Sequence, residues 1–123
     1  MLDDINGEGA MVGRSDPARS ARREKLFHGL AEPSRLAILA CLRGGPLNVS
    51  EIADRAALSQ SNTSNHLACL LGCGLVRRER EGRFTYYRLA DEDVATLLAV
   101  ADRIVTHTAP DLLACPRCGT TRI

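Results

Sequence analysis

Residues 48–74, NVSEIADRAALSQSNTSNHLACLLGCG, contain the strongest structural signal in the chain. Its first part predicts a short helix, because Asn48 can cap the N-terminus and the glutamate three residues on can complete a capping box. Ser59 can cap a second helix, which a glycine ends at Gly72 or Gly74. Two helices joined by a turn of roughly three or four residues are the signature of a helix-turn-helix.

The flanking segments predict the remaining elements. PARSARREKLFHGL and AEPSRLAILACLRGG have the apolar spacing of two helices, and Gly44 and Gly45 stop the second. After the helix-turn-helix, LVRRER and RFTYYRLA flank a Glu-Gly turn and predict a β-hairpin. Asp91 can cap a last helix, DEDVATLLAVADRIVTHT, which Pro110 bars from continuing. The predicted fold is mainly α with a small β-hairpin wing, a winged helix-turn-helix.

Length and composition suit one domain with an aliphatic core. The chain has 123 residues, of which 45% are hydrophobic and 3% aromatic. We expect a flexible N-terminal arm over residues 1–16, the winged helix-turn-helix over 17–109 and a cysteine-containing tail over 110–123. An acidic start and the lack of about 20 consecutive apolar residues argue against a signal peptide or a membrane partner, and favour the cytoplasm. In that reducing compartment, five cysteines indicate metal ligands, redox thiols or buried small side chains.

The second helix of the helix-turn-helix has a polar outer face. On a helical wheel, Ser61, Ser64 and Asn65 lie opposite the apolar positions Leu67 and Leu70. Recognition helices read base edges with their N-terminal residues, and amide side chains suit adenine. The predicted DNA contacts are therefore Gln60, Ser61, Ser64 and Asn65. The alternative is that these residues only solvate and cap the helix end. His66 could contact DNA, serve as an alternative metal ligand or simply pack.

The predicted hairpin is rich in arginine. The net charge of the chain is only +1, so any basic footprint has to be local. One interpretation is a solvated face whose positive charge is partly offset by Glu79 and Glu81. The position directly after a helix-turn-helix favours a wing that lies along DNA phosphates, with Arg77, Arg78 and Arg83 as contacts. The five arginines of the hairpin are Arg77, Arg78, Arg80, Arg83 and Arg88.

Four cysteines could share one metal ion. Cys69 and Cys73 fall on a flank of the recognition helix, and residues four apart on a helix have Cβ atoms about 6 Å apart. Two thiolates on a tetrahedral zinc ion need sulfur atoms roughly 3.8 Å apart, which this spacing can supply. The tail adds Cys115 and Cys118 in CPRCG, a knuckle typical of metal sites. Sulfur ligands select zinc, cadmium, lead or Cu(I). We assign Cys41, which lies among aliphatic residues, to the core.

These segments together resemble the ArsR/SmtB family of homodimeric winged-helix repressors. The resemblance covers about residues 26–108 and rests on LAEPSRLAILACL, LSQSNTSNHLACL, GLVRREREGRFTYYRL and the closing helix. Within the family, HLACLLGCGLV is similar to the CmtR-like branch, which senses cadmium and lead. This resemblance implies that Cys69, Cys73 and a tail cysteine near Cys115 hold the metal. Cys118 has no counterpart in it, so three-sulfur and four-sulfur coordination both stay open.

The ligand residues of two other metal sites of the family are missing from this chain. The site on the third helix needs cysteines near residues 50–54, where there are none. The site on the last helix resembles Asp-x-His, whereas Asp102 is followed by Arg103 and Ile104. The cysteine cluster is therefore the remaining candidate site for metal sensing.

The implied function is metal-responsive repression of transcription. A metal-free homodimer, built through the first and last helices, would bind palindromic operator DNA in successive major grooves. A thiophilic effector (cadmium, lead or zinc, with no organic cofactor) would clamp the recognition helix and release the DNA. A thiol–disulfide redox repressor and a DNA-binding module with a purely structural metal are the alternatives. The sequence predicts no enzyme, because it lacks a carboxylate pair beside a nucleophile, a phosphate loop and an open-site metal motif.

Overall fold

Five α-helices and one three-stranded antiparallel sheet make up residues 16–116, the part of the chain that the computed structural model describes. A π turn over Ile104–Thr108 prolongs the last helix, and a 3-10 turn follows at Leu112–Ala114. The mainly α fold with a hairpin wing is thus confirmed, whereas the division into arm, domain and tail stays a prediction. The elements are α1 Pro17–Leu30, α2 Pro33–Leu42, β1 Leu47–Asn48, α3 Val49–Ala56, α4 Gln60–Gly72, β2 Val76–Glu81, β3 Phe84–Leu89 and α5 Glu92–Arg103.

Local capping sets the helix-turn-helix, as predicted. The Asn48 side chain accepts a hydrogen bond from the Glu51 backbone N–H, and the Glu51 carboxylate accepts one from the Asn48 N–H, both at 2.9 Å. Ala57 adopts a left-handed φ of 58° and ends α3. The Ser59 hydroxyl then accepts from the Asn62 N–H at 3.0 Å and starts α4. The start of each helix is therefore fixed by a side chain three residues from its partner in sequence, and the end of α3 is fixed by the backbone of Ala57.

An aliphatic core holds the three central helices together. Ile38 and Leu39 of α2, Ile52 of α3 and Leu67 and Leu70 of α4 are all almost completely buried. Fully burying one such side chain stabilises a fold by about 1.5–3 kcal/mol. The buried face of α4 is the one that the helical wheel predicts, so the orientation of α4 follows from the core.

The sheet has one strand more than the sequence analysis foresaw. The order is β1-β3-β2, with Leu47 opposite Tyr87 and Val76 opposite Leu89. The segment after Pro46, for which the sequence predicted no strand, is the strand β1 and pairs with β3. Its two residues are too few to show an alternating pattern, and the pairing joins positions about forty residues apart. Through β1 the hairpin is anchored to the loop that precedes α3.

The apolar stripe of the last helix divides between the core and the surface. Val94 and Leu98 are buried, whereas Ile104 and Val105 in the π turn are 43% and 48% exposed. Phe27 of α1 is 54% exposed. The described chain thus leaves large apolar side chains uncovered on its first and last helices. No helix of the described residues is long and apolar enough to cross a membrane.

Thr63 places a polar group in the middle of this core. The side chain is completely buried, and its hydroxyl has no hydrogen-bond partner within the described residues. A buried polar group without a partner costs about 1–3 kcal/mol. Thr63 therefore stabilises the packing of α4 through its methyl group and weakens it through its hydroxyl.

We expect Thr63→Val to raise the free energy of unfolding by about 1 kcal/mol, because it keeps the shape and removes the unpaired hydroxyl. Thr63→Ser is the matched control: it keeps the hydroxyl, loses the methyl group and should destabilise by about 1 kcal/mol. Urea unfolding followed by circular dichroism measures both. A Thr63→Val protein less stable than the parent would show that the hydroxyl has a partner.

Candidate metal site and DNA-binding surface

The N-terminal half of α4 presents the predicted polar face to solvent. Ser61, Ser64 and Asn65 are exposed, whereas Thr63 and Leu67 of the same helix are buried. Gln60 is also exposed, and its amide nitrogen donates a 2.8 Å hydrogen bond to the Ser50 hydroxyl of α3. This bond joins the two helices at the start of α4. Placement on the surface agrees with the predicted DNA contacts, which themselves stay predictions.

His66 lies apart from that polar face. It is half-buried, and its Nδ1 lies 4.0 Å from the Glu32 carboxylate. The same carboxylate accepts a 2.8 Å hydrogen bond from the Arg35 backbone N–H and so caps α2. Of the three roles left open for His66, this position favours packing between α4 and the start of α2. Its DNA contact and its alternative role as a metal ligand stay predictions.

The arginines of the hairpin divide between two faces. Successive residues of a strand point to opposite sides, so Arg77 and Arg78 cannot line one surface. Arg77 and Arg88 face each other across the strands, and Arg88 makes a 3.0 Å ion pair with Glu79. Glu81 shares their face, which is therefore balanced in charge.

The opposite face of the hairpin carries uncompensated positive charge. Arg78 lies opposite Tyr87, and Arg80 lies opposite Thr85. Both arginines are exposed, and neither has an acidic residue beside it in the strand register. Arg83 follows Gly82, whose φ of 64° forms the hairpin turn. Of the three predicted wing contacts, Arg78 thus belongs to the basic side, which also includes Arg80, and Arg83 lies in the turn between the strands. Arg77 lies on the balanced side.

Cys69 and Cys73 are both exposed on one flank of α4. The Cys73 backbone N–H donates a 3.0 Å hydrogen bond to the Cys69 carbonyl oxygen, so helical spacing extends as far as Cys73, the C-cap residue. Neither thiol points into the apolar interior. Two soft donors one turn apart at the surface fit part of a site for a thiophilic cation.

The two cysteines line a groove between α1 and α4 with a volume of about 530 Å³. Its apolar floor consists of Leu26, Leu70 and Leu75. Three cationic side chains also line the groove: Arg22, Lys25 and Arg35. The Arg35 Nε donates a 3.0 Å hydrogen bond to the Gly29 carbonyl oxygen at the end of α1, which holds this guanidinium group at the groove.

Sequence reasoning missed these groove cations. A wheel for α1 would place Arg22, Lys25, Leu26 and Gly29 on one stripe, since they follow the three- and four-residue spacing of one helix face. Nothing in the sequence pairs this stripe with the cysteine flank of α4, because that contact joins elements about forty residues apart. Arg35 could not be placed without the same tertiary information.

The remaining cysteines occupy different surroundings. Cys41 is half-buried and packs against the core, as predicted. Cys115 is half-buried directly after the 3-10 turn. Within residues 16–116, no three histidine, cysteine or acidic side chains come close enough to hold one metal ion, so the structure does not bring Cys115 to Cys69 and Cys73. Cys118 lies outside the described residues.

The fold and its exposed helix define a winged helix-turn-helix regulatory protein. A family model described as "Bacterial regulatory protein, arsR family" matches residues 32–78. Over 93 residues the chain is 40% identical to the HTH-type transcriptional regulator CmtR of Mycobacterium tuberculosis, a match that covers 76% of this chain and 79% of CmtR. Over 108 residues it is 34% identical to a probable mercury resistance operon repressor of Streptomyces lividans, covering 88% and 84% of the two chains. The chain therefore belongs to the ArsR family of bacterial regulatory proteins.

Solved structures give the same fold. The homodimeric winged helix-turn-helix DNA-binding domain Mb0332 of Mycobacterium bovis aligns with a TM-score of 0.70 and 28% identity, over 96% of this chain and all (100%) of that one. The cadmium metal-sensor CmtR of M. tuberculosis aligns with a TM-score of 0.59 and 42% identity, over 69% of this chain and 85% of CmtR. These matches confirm the winged helix-turn-helix architecture and the resemblance to the CmtR-like branch.

Proposed function

We propose that this protein is a metal-responsive transcriptional repressor that binds operator DNA without metal and is released by a thiophilic cation. The observation that carries the proposal is the exposed pair Cys69 and Cys73, one helical turn apart on the recognition helix itself. The names of two similar proteins, a cadmium metal-sensor and a mercury resistance operon repressor, support it. Binding to operator DNA places the protein in the bacterial cytoplasm.

The DNA-binding form is a homodimer joined through α1 and α5. Phe27, Ile104 and Val105 leave an apolar surface on these helices that a second copy can cover. Leu112 and Leu113, in the 3-10 turn after α5, are exposed as well. Two-fold symmetry then sets two recognition helices about one turn of DNA apart, so the operator is palindromic. The homodimeric state of the Mb0332 domain supports the proposal of a dimer.

The metal ligands are Cys69 and Cys73 together with tail cysteines Cys115 and Cys118. A soft divalent cation supplies a single centre that several thiolates can share. The helix cysteines meet that need in chemistry, exposure and spacing. The tail cysteines would join them after movement of the tail or from the second subunit. The choice between three and four sulfur ligands depends on whether one or both tail cysteines take part.

Ligation beside the recognition helix opposes DNA binding in two ways. Tying the tail to the flank of α4 restrains that helix in an orientation set by the sulfur ligands rather than by the DNA groove. Four thiolates on a divalent cation also carry a net charge of about −2 close to phosphates. Coupling between two sites is typically about 1–3 kcal/mol, whereas a nearly complete switch needs about 5.5 kcal/mol. Two sites per dimer therefore approach a full switch.

We expect each bound cadmium or lead ion to weaken DNA binding by about 5-fold to 150-fold, the range of typical coupling energies for one site. The measurement is a gel shift on a duplex selected from a random pool by the metal-free protein, with zinc as a third cation. Cys69→Ser should bind the duplex normally and lose the response, because it removes one ligand.

Cys41→Ser is the matched control for this titration, since Cys41 packs against the core, and it should respond like the parent. Unchanged DNA affinity at saturating cadmium, lead and zinc would contradict metal sensing. Intact-mass spectrometry separates the two rivals. A redox repressor would show a disulfide and no metal, and a structural site would retain zinc without any effect on DNA binding.

The division of the wing predicts different roles for its arginines. Arg80→Gln should weaken DNA binding. It should also make the negative slope of log affinity against log salt concentration less steep by about 0.9, the value for one phosphate contact. Arg88→Gln is the matched control, because Arg88 already pairs with Glu79, and its slope should stay near that of the parent. Fluorescence anisotropy at several salt concentrations measures both. Equal slopes for the two variants would show that the faces of the hairpin do not differ in phosphate contact.

A further inference from the structure

The groove between α1 and α4 combines features that metal ligation does not require. The residues that line it include three cationic side chains, Arg22, Lys25 and Arg35, and no acidic one. Its volume of about 530 Å³ lies within the range of small-molecule sites. Leu26 supplies part of an apolar floor. A compact anion with some apolar surface matches this lining in both charge and size.

The two thiols indicate which kind of anion could react in the groove. Cys69 and Cys73 line the groove and are exposed, so a molecule bound there lies next to a nucleophilic sulfur. We propose that the groove binds anionic low-molecular-weight disulfides and makes Cys69 and Cys73 sites of S-thiolation. This modification is a separate input from metal, and it requires neither the tail cysteines nor a bound cation.

The reaction is thiol–disulfide exchange. The Cys69 sulfur, after its proton passes to solvent, attacks one sulfur of the bound disulfide. The S–S bond of the small molecule breaks, a new S–S bond to the protein forms, and the other half leaves as an anionic thiolate. The protein sulfur is oxidised and the leaving sulfur is reduced, so the disulfide itself is the oxidant. The same steps apply to Cys73.

The cations of the groove select the charge of the reagent. Arg22 and Lys25 are exposed on α1, one turn apart, and the hydrogen bond from Arg35 to the Gly29 carbonyl holds the third charge in place. A unit charge about 4–5 Å away contributes an interaction equivalent to roughly fivefold in a rate, even in water. Several such charges should favour an anionic over a cationic disulfide by at least about tenfold.

The test compares two disulfides of opposite charge on metal-free protein. The protein is the full chain with Cys69 as its only cysteine, treated with a chelator, and the probes are glutathione disulfide, which is anionic, and cystamine, which is cationic. Mass spectrometry gives both rates of adduct formation at one pH and ionic strength. Both reagents meet the same fraction of ionised thiol, so the ratio of rates reports the charge of the groove.

We expect the ratio of the rate with glutathione disulfide to the rate with cystamine to be about tenfold higher in the folded protein than in urea. Arg22→Gln and Lys25→Gln should each lower the folded ratio by roughly threefold to fivefold. The matched control is Arg23→Gln, an exposed neighbour on α1 that does not line the groove, and it should keep the parent ratio. A chain with Cys73 as its only cysteine should repeat the pattern.

A folded ratio equal to that in urea would overturn the proposal, as would an Arg23→Gln effect as large as that of Arg22→Gln. The result is separable from metal sensing, because the assay contains neither metal nor DNA. Failure of the charge preference leaves the metal titration unaffected, and failure of the metal titration leaves the charge preference standing.

Discussion

The burial of one face of α4 in the aliphatic core determines where the polar face and the thiols of this helix lie. Leu67 and Leu70 lie in the aliphatic core, and this contact fixes how the helix is rotated about its own axis. Ser61, Ser64 and Asn65 are thereby turned outward, and Cys69 is turned to the flank. Recognition surface and thiols are thus set by a single packing contact. A change in how α4 packs against the core would move the recognition surface and the thiols together.

That shared helix explains how sensing and DNA binding can be coupled over a short distance. The thiols lie at the C-terminal end of α4 and the predicted base contacts lie at its N-terminal end, within 13 residues. A rigid helix transmits a rotation along this length without any intermediate element. The groove against α1 adds a second contact to the same flank. Because α1 is also part of the proposed dimer surface, events at the thiols can reach the spacing between the two recognition helices.

Much of the fold could be predicted because its signals are local. The capping box of Asn48 and Glu51, the cap of Ser59 and the buried face of α4 are all fixed by residues within one or two helical turns. The pairing of β1 with β3 was missed because two residues carry no periodic pattern. The basic groove was missed because it joins α1 to α4 through space. The candidate thiols were predictable as residue types, whereas their cationic surroundings required the tertiary structure.

In the proposed metal-bound form, sulfur atoms distant in the chain converge on one soft cation beside the DNA-reading helix. X-ray absorption at the cadmium edge of the loaded protein tests it most directly, since it counts the sulfur neighbours of the ion. We expect the neighbours of cadmium to be mainly sulfur, with at least three sulfur atoms per ion, and fewer after either Cys69→Ser or loss of both tail cysteines. A shell made mainly of oxygen and nitrogen, or one unchanged by those substitutions, would contradict it.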